Sequence, residues 1–167
     1  MTAKDALKVQ YQFFYSTAKQ NLEGMSADHA LVQPEPAGNC ANWILGHMVG
    51  AHNGVMGLAN AEPVWESADL ARAGSEPITS AAQAIDWDTM VSRLLGSEDR
   101  LISALDRLTD EQLDDGGFED PFGDPITRGQ FLNLMAVHQN YHAGQLGVVR
   151  RIAGLPGAIR TPQSQEA

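Results

Sequence analysis

The stretch His138-Gln139-Asn140-Tyr141-His142-Ala143-Gly144-Gln145 sets two histidines four residues apart inside a strongly helical run. Four residues is little more than one helical turn, so both imidazoles lie on one face and can reach one point in space. The pair also continues a stripe: Phe131, Met135, His138, His142, Gln145 and Val149 follow one another in steps of four and three. That spacing marks a helix face turned to the interior of a bundle. Histidines on such a face need polar partners, and a metal ion held by both would be one.

Working outward, this helix is predicted from about Arg128 to Ala153. Thr127 and Gln130 have capping-box spacing at its start, and Gly154 with Pro156 stops it. Three more helices are predicted. The first runs from about Ala3 to Leu22, with Leu7, Tyr11, Phe14 and Ala18 on one face. The second runs from about Cys40 to Asn60, behind the breakers Pro34, Pro36, Gly38 and Asn39. The third runs from about Trp87 to Leu108 after an N-cap at Asp86, with Trp87, Val91, Leu94, Glu98, Leu101, Leu105 and Leu108 as its inner seam. No convincing strand signal and no internal repeat appears. The linker from about Ala61 to Ile85 is long for a bundle connection. It can carry the chain back along the bundle and leave the second and third helices parallel. The expectation is an all-α fold, a four-helix bundle running up-down-down-up with a long crossover between helices two and three. The domain spans residues 1–154, and 155–167 form an extended or frayed C-terminal tail.

Composition narrows the function. A chain of 167 residues suits one domain with a proper core. Eleven Lys plus Arg against 21 Asp plus Glu give a formal charge of −10, which repels phosphate backbones. With no basic cluster either, neither nucleic acid nor an anionic membrane is an expected partner. No apolar run is long enough to span a bilayer, and residues 1–20 carry no apolar signal core. Cys40 is the single cysteine, which fits a reducing compartment, so the expected location is cytoplasmic.

A third histidine, His47, lies in helix two on the run Ile44, His47, Ala51, Val55, Leu58, read as a second interior stripe. If helices two and four are neighbours, His47 closes a three-imidazole site with His138 and His142. Such a site suits a divalent ion of zinc, nickel, iron or cobalt and leaves coordination positions open. Two blocks, Asn42-Trp43-Ile44-Leu45-Gly46-His47-Met48 and His138 to Gln145, together resemble the ligand-bearing segments of the DinB/YfiT-like superfamily of small four-helix proteins. The order and spacing of helices agree along nearly the whole chain. The resemblance implies a divalent metal on His47, His138 and His142. It also implies hydrolysis, or S-transfer with a low-molecular-weight thiol as cosubstrate, on a small-molecule substrate. A homodimer is the oligomeric state the resemblance implies.

Other residues have competing readings. Glu98, where the third helix calls for an apolar residue, either partners a ligand imidazole N–H or accepts a proton near the metal, or else sits at an edge and reaches water. Gln145 follows His142 by three, on the site face, and is the second candidate for that supporting role. His52 is about 140° around the helix from His47 and is read as solvent-facing or as a supporting contact. Gly46, Gly50, Gly54 and Gly57 of helix two are read as close packing of a neighbouring helix, in preference to room for a substrate. Trp43 is read as core, and Tyr141 as a packing or dimer contact. The leading function is a metal-dependent enzyme activating a thiol or water. Its rivals are a non-enzymatic metal- or ligand-binding stress protein and a dimeric interaction module with a vestigial site.

Overall fold

A computed structural model describes residues 2–72 and 76–158. Its elements are α1 (Ala3–Leu22), α2 (Ala27–Ala30), α3 (Ala41–Leu58), α4 (Trp87–Leu95), α5 (Glu98–Arg107), α6 (Asp110–Asp114), β1 (Phe118–Glu119), β2 (Pro125–Ile126) and α7 (Arg128–Ile152). α1, α3, the α4–α5 pair and α7 make a four-helix bundle. The boundaries follow from local capping. Thr2 with Asp5 and Thr127 with Gln130 close capping boxes on α1 and α7, and the Asp86 carboxylate accepts from Thr89 N at the start of α4. Gly154 takes φ +84° just beyond α7, a conformation that suits glycine. Residues 155–158 of the expected tail follow that stop without helix, and 159–167 lie outside the described residues.

Cross-helix hydrogen bonds fix the directions of the four bundle helices. The Tyr11 hydroxyl donates to Leu132 O, and further along Asn21 Nδ2 donates to Ala143 O, both at 2.9 Å, so α1 and α7 run parallel. Lys4 Nζ reaches Leu108 O at 2.6 Å and the Tyr15 hydroxyl meets Ser97 Oγ at 2.8 Å, so α5 runs against α1. Gln139 Nε2 donates to Met48 O at 3.1 Å and Arg128 Nη1 to Leu58 O at 3.2 Å, so α3 runs against α7. The crossover is tied down by two asparagines of α3. Asn53 accepts from Val64 N at 2.8 Å, and Asn42 both accepts from Ile85 N and donates to Ile85 O, at 3.0 and 2.8 Å. The chain therefore travels back along α3 before α4 begins, and α3 and α4–α5 are parallel. The order is up-down-down-up, as the linker length implies.

Three features differ from the sequence reading. The third helix breaks at Gly96 and Ser97. A Cβ at Gly96 would stand 2.9 Å from Ser92 O, and the Ser97 hydroxyl donates to Leu94 O at 2.6 Å, drawing off a helical carbonyl. A hairpin pairs Phe118 with Ile126 and Glu119 with Pro125 where no strand was expected. Its signal is a turn: Asp120 Oδ1 accepts from Phe122 N and Asp124 N. The third difference is phase. The most buried face of α7 carries Leu132, Ala136, Gln139, Ala143 and Leu146, while Phe131, Met135 and His138 are half-buried at its edge. On α3 the core face carries Leu45, Met48, His52 and Met56, and His47 is half-buried. His52 is thus fully buried, not solvent-facing.

His52 belongs to a buried polar chain with one direction. His52 Nε2 meets the Tyr15 hydroxyl at 2.7 Å, the Tyr15 hydroxyl meets Ser97 Oγ at 2.8 Å, and Ser97 Oγ donates to Leu94 O. Three hydrogen bonds need three hydrogens, and the two hydroxyls supply two. The third must be on His52 Nε2, so the imidazole donates to Tyr15, Tyr15 to Ser97 and Ser97 to the carbonyl. Burial lowers the His52 pKa from 6.5 to about 3, so the ring stays neutral. Because the unfolded chain takes up this proton near pH 6.5 and the folded one only near 3, stability is undiminished above that window and falls with pH inside it. Urea unfolding should show that decline. Tyr15→Phe, which strands the His52 donor in the core, should cost about 1–3 kcal/mol at neutral pH. A loss within error of zero would contradict the chain as drawn.

Candidate metal centre

The antiparallel pairing of α3 with α7 puts His47 opposite the turn that carries His138 and His142. His138 Nε2 stands 3.1 Å from both His47 Nε2 and His142 Nε2. One ligand atom from each ring falls within 4.8 Å of the others. The rings lie 4.5–5.1 Å apart, centre to centre, tilted by 59–70°. Such crossed rings point their nitrogens inward instead of stacking. His47 and His138 are half-buried at the edge of the bundle, and His142 is buried with 8% of its surface exposed.

Proton counting shows what this arrangement can bind. His142 Nδ1 lies 2.7 Å from Gln145 Oε1. That oxygen only accepts, so Nδ1 carries the hydrogen and His142 Nε2 is a bare lone pair aimed into the group. His138 Nε2 holds either one hydrogen or one lone pair, so it completes at most one of its two contacts. Imidazoles alone do not satisfy one another; a cation at the centre of the group would accept the lone pairs. The two 3.1 Å separations are near the spacing a tetrahedral ion sets, because nitrogens about 2.1 Å from such an ion stand about 3.4 Å apart. Burial, the largest influence, lowers the pKa of all three, to about 4 for His142. All are neutral near pH 7, the state in which imidazole is a ligand.

Neighbouring side chains hold two of the rings in place. Gln145 accepts from His142 and donates through Nε2 to the Tyr141 hydroxyl at 3.0 Å. Trp43 lies over His47 at 5.2 Å and 13°, and its indole N–H is tied to Glu76 O of the crossover at 3.0 Å. Trp43 was read as core and Tyr141 as a packing or dimer contact. Their signal was spacing: each sits four residues before the residue it supports, on the same helix face. Glu98 is placed elsewhere. It opens α5, half-buried, close enough to Tyr15 for its charge to oppose ionisation of that hydroxyl. Cys40, at the N-cap of α3, is fully buried and free.

Residues 10–146 match the family model of the DinB superfamily, and the chain belongs to that superfamily. Two solved structures share its fold. One is a conserved protein from Enterococcus faecalis, 20% identical, with a TM-score of 0.68 over 92% of this chain and 98% of that one. The other is YfiT from Bacillus subtilis, described as a probable metal-dependent hydrolase with an unusual four-helix bundle topology. It is 20% identical, with a TM-score of 0.66 over 92% of this chain and 89% of that one. No curated protein matches. Among the described residues no helix is long and apolar enough to cross a membrane.

The tautomer of His142 is measurable without a metal. In chelator-treated protein, two-bond ¹H–¹⁵N spectra should show His142 protonated at Nδ1, and Gln145→Leu should move the proton toward Nε2. An Nε2–H form in the wild type would contradict the geometry.

Proposed function

We propose that His47, His138 and His142 hold one divalent ion of the zinc, nickel or iron type, and that the protein is a metal-dependent enzyme acting on a small molecule. The observation that carries this reading is the convergence of three Nε2 atoms, one of them a bare lone pair, that cannot satisfy one another. A bound divalent ion lowers the pKa of a water or thiol beside it, so a nucleophile is available at neutral pH. Water leads to hydrolysis; a low-molecular-weight thiol leads to S-transfer onto an electrophile. YfiT's description favours the first by analogy of fold.

The chain's own residues divide the remaining work. Gln145 holds His142 in the ligand tautomer, and the Trp43 indole fixes the plane of His47. Tyr141, largely exposed at the rim, completes the Gln145 amide's hydrogen bonding and stands near any molecule entering the site. A homodimer is the assembly that the outer surface supports. Phe13 and Val9 of α1 and Val137, Val148 and Ile152 of α7 are exposed apolar side chains on two adjacent helices.

Elemental mass spectrometry of tag-free protein tests the reading. About one divalent ion per chain is expected in the wild type and almost none in His142→Ala. Gln145→Leu should weaken metal affinity by about 10–100-fold. Turnover in a screen of esters, amides and thiol–electrophile pairs should vanish with chelator and return with metal, the fold being intact throughout. No uptake of zinc, nickel or iron by the wild type would overturn the proposal. Metal uptake without any chelator-sensitive turnover would favour a metal-binding protein that is not an enzyme.

A further inference from the structure

Gly46 of α3 is buried, but the other three glycines of that helix are unexplained by packing. A Cβ at Gly50, Gly54 or Gly57 would meet nothing within 4 Å, which corrects the expectation that a neighbouring helix presses against them. Each nonetheless costs about 1 kcal/mol relative to alanine inside a helix. Their positions are telling. His47, Gly50, Gly54 and Gly57 follow in steps of three and four, so they share one face of α3. On α7, His142, His138, Met135 and Phe131 share a face in the same steps. Since the helices are antiparallel, the two faces meet along one line. At one end of that line are the histidines. At the other is a groove of about 450 Å³, lined by Gly54 and Gly57 on one wall, Met135 and Phe131 on the other, and Phe118 of the hairpin.

The groove ends in a charge. Arg128 lines it, anchored through Nη1 to Leu58 O at 3.2 Å and through Nη2 to Asp115 at 3.2 Å. Nη1 also stands 3.4 Å from Asn60 Oδ1, so the second hydrogen of Nη2 is left for another acceptor, and with the Asp115 side chain 53% exposed, water screens the existing pair. From Met135 to Arg128 the groove follows seven residues of α7, about 10 Å. An apolar, partly aromatic trough with one fixed cation at its end is suited to an elongated amphipathic carboxylate.

We propose that this groove binds the body of the substrate of the trihistidine centre. The substrate is an elongated small molecule whose apolar segment lies between Gly54/Gly57 and Met135/Phe131 and whose carboxylate pairs with Arg128. The opposite end, one turn of α7 beyond Met135, reaches the histidines. The glycines keep the trough open; larger side chains would fill it. The proposal rests on the metal reading above for its chemistry, but the groove can be tested without the metal.

The probes are 6-phenylhexanoate and 6-phenylhexanol, titrated by calorimetry into chelator-treated and metal-loaded protein. The wild type should bind the carboxylate more tightly than the alcohol, by on the order of tenfold. Gly54→Leu and Gly57→Leu should lose carboxylate binding by at least about tenfold, with melting temperature and metal content unchanged or raised. Arg128→Gln should abolish the preference for carboxylate, and Arg128→Lys, which retains the charge, should keep part of it. Phe13→Ala, on the exposed face of α1, should bind as wild type does. Unchanged binding in the glycine variants, or equal binding of acid and alcohol by the wild type, would overturn the proposal. Groove binding intact in a wild type that takes up no metal would support the groove and contradict the metal reading alone.

Discussion

A neutral imidazole nitrogen carries one hydrogen or one lone pair, and three such nitrogens aimed at a common point cannot all be satisfied by one another. The rest of this structure can be read as the means of holding that arrangement. The pairing of α3 against α7 supplies opposing faces. The four-residue step between His138 and His142 puts two rings on one side of the gap, and the Gln145 acceptor fixes the tautomer that turns a lone pair inward. A neutral apolar core would be simpler to build. Placing the histidines at the edge of the bundle limits the desolvation they suffer and opens the site to small molecules.

The up-down-down-up order serves the same end. A simple alternating bundle needs only short loops, whereas here a long crossover passes over α3 on its way back. Asn42 and Asn53 bind its two ends. Between them the crossover accepts the Trp43 indole N–H at Glu76 O, so the connection that sets the topology also steadies the residue that holds His47. Topology and site are coupled at one tryptophan. The buried chain from His52 through Tyr15 and Ser97 to Leu94 does a different job: it joins α1, α3 and the α4–α5 break inside the core, away from the open site.

Much of this was legible in the sequence because its signals are local. Thr127 with Gln130, Asp86 and Gly154 mark helix ends by their own hydrogen bonds or backbone freedom, and each stands where the chain alone puts it. The spacing of His138 and His142 needs nothing beyond helical geometry. The family and the bundle topology were likewise readable, the first from two short blocks and the second from linker length. What sequence could not fix was rotation. Ile44, Leu45, Met48, Val49, Val55 and Met56 spread apolar side chains around much of α3, so periodicity does not decide whether His47 or His52 faces the core. Glu98 shows the same uncertainty on a helix that bends just before it, at Gly96 and Ser97. Gly50, Gly54 and Gly57 read as packing positions because a missing side chain looks the same in sequence whether a helix or a cavity lies opposite.

The central claim is that one cation sits where the three Nε2 atoms converge, and anomalous diffraction tests it most directly. Crystals grown with zinc, nickel or ferrous iron, with data collected on either side of each metal's absorption edge, should show one dominant anomalous peak about 2.0–2.1 Å from Nε2 of His47, His138 and His142. A peak bound through Nδ1 atoms, a peak elsewhere on the molecule, or no peak at this point with any of the three metals would contradict the account.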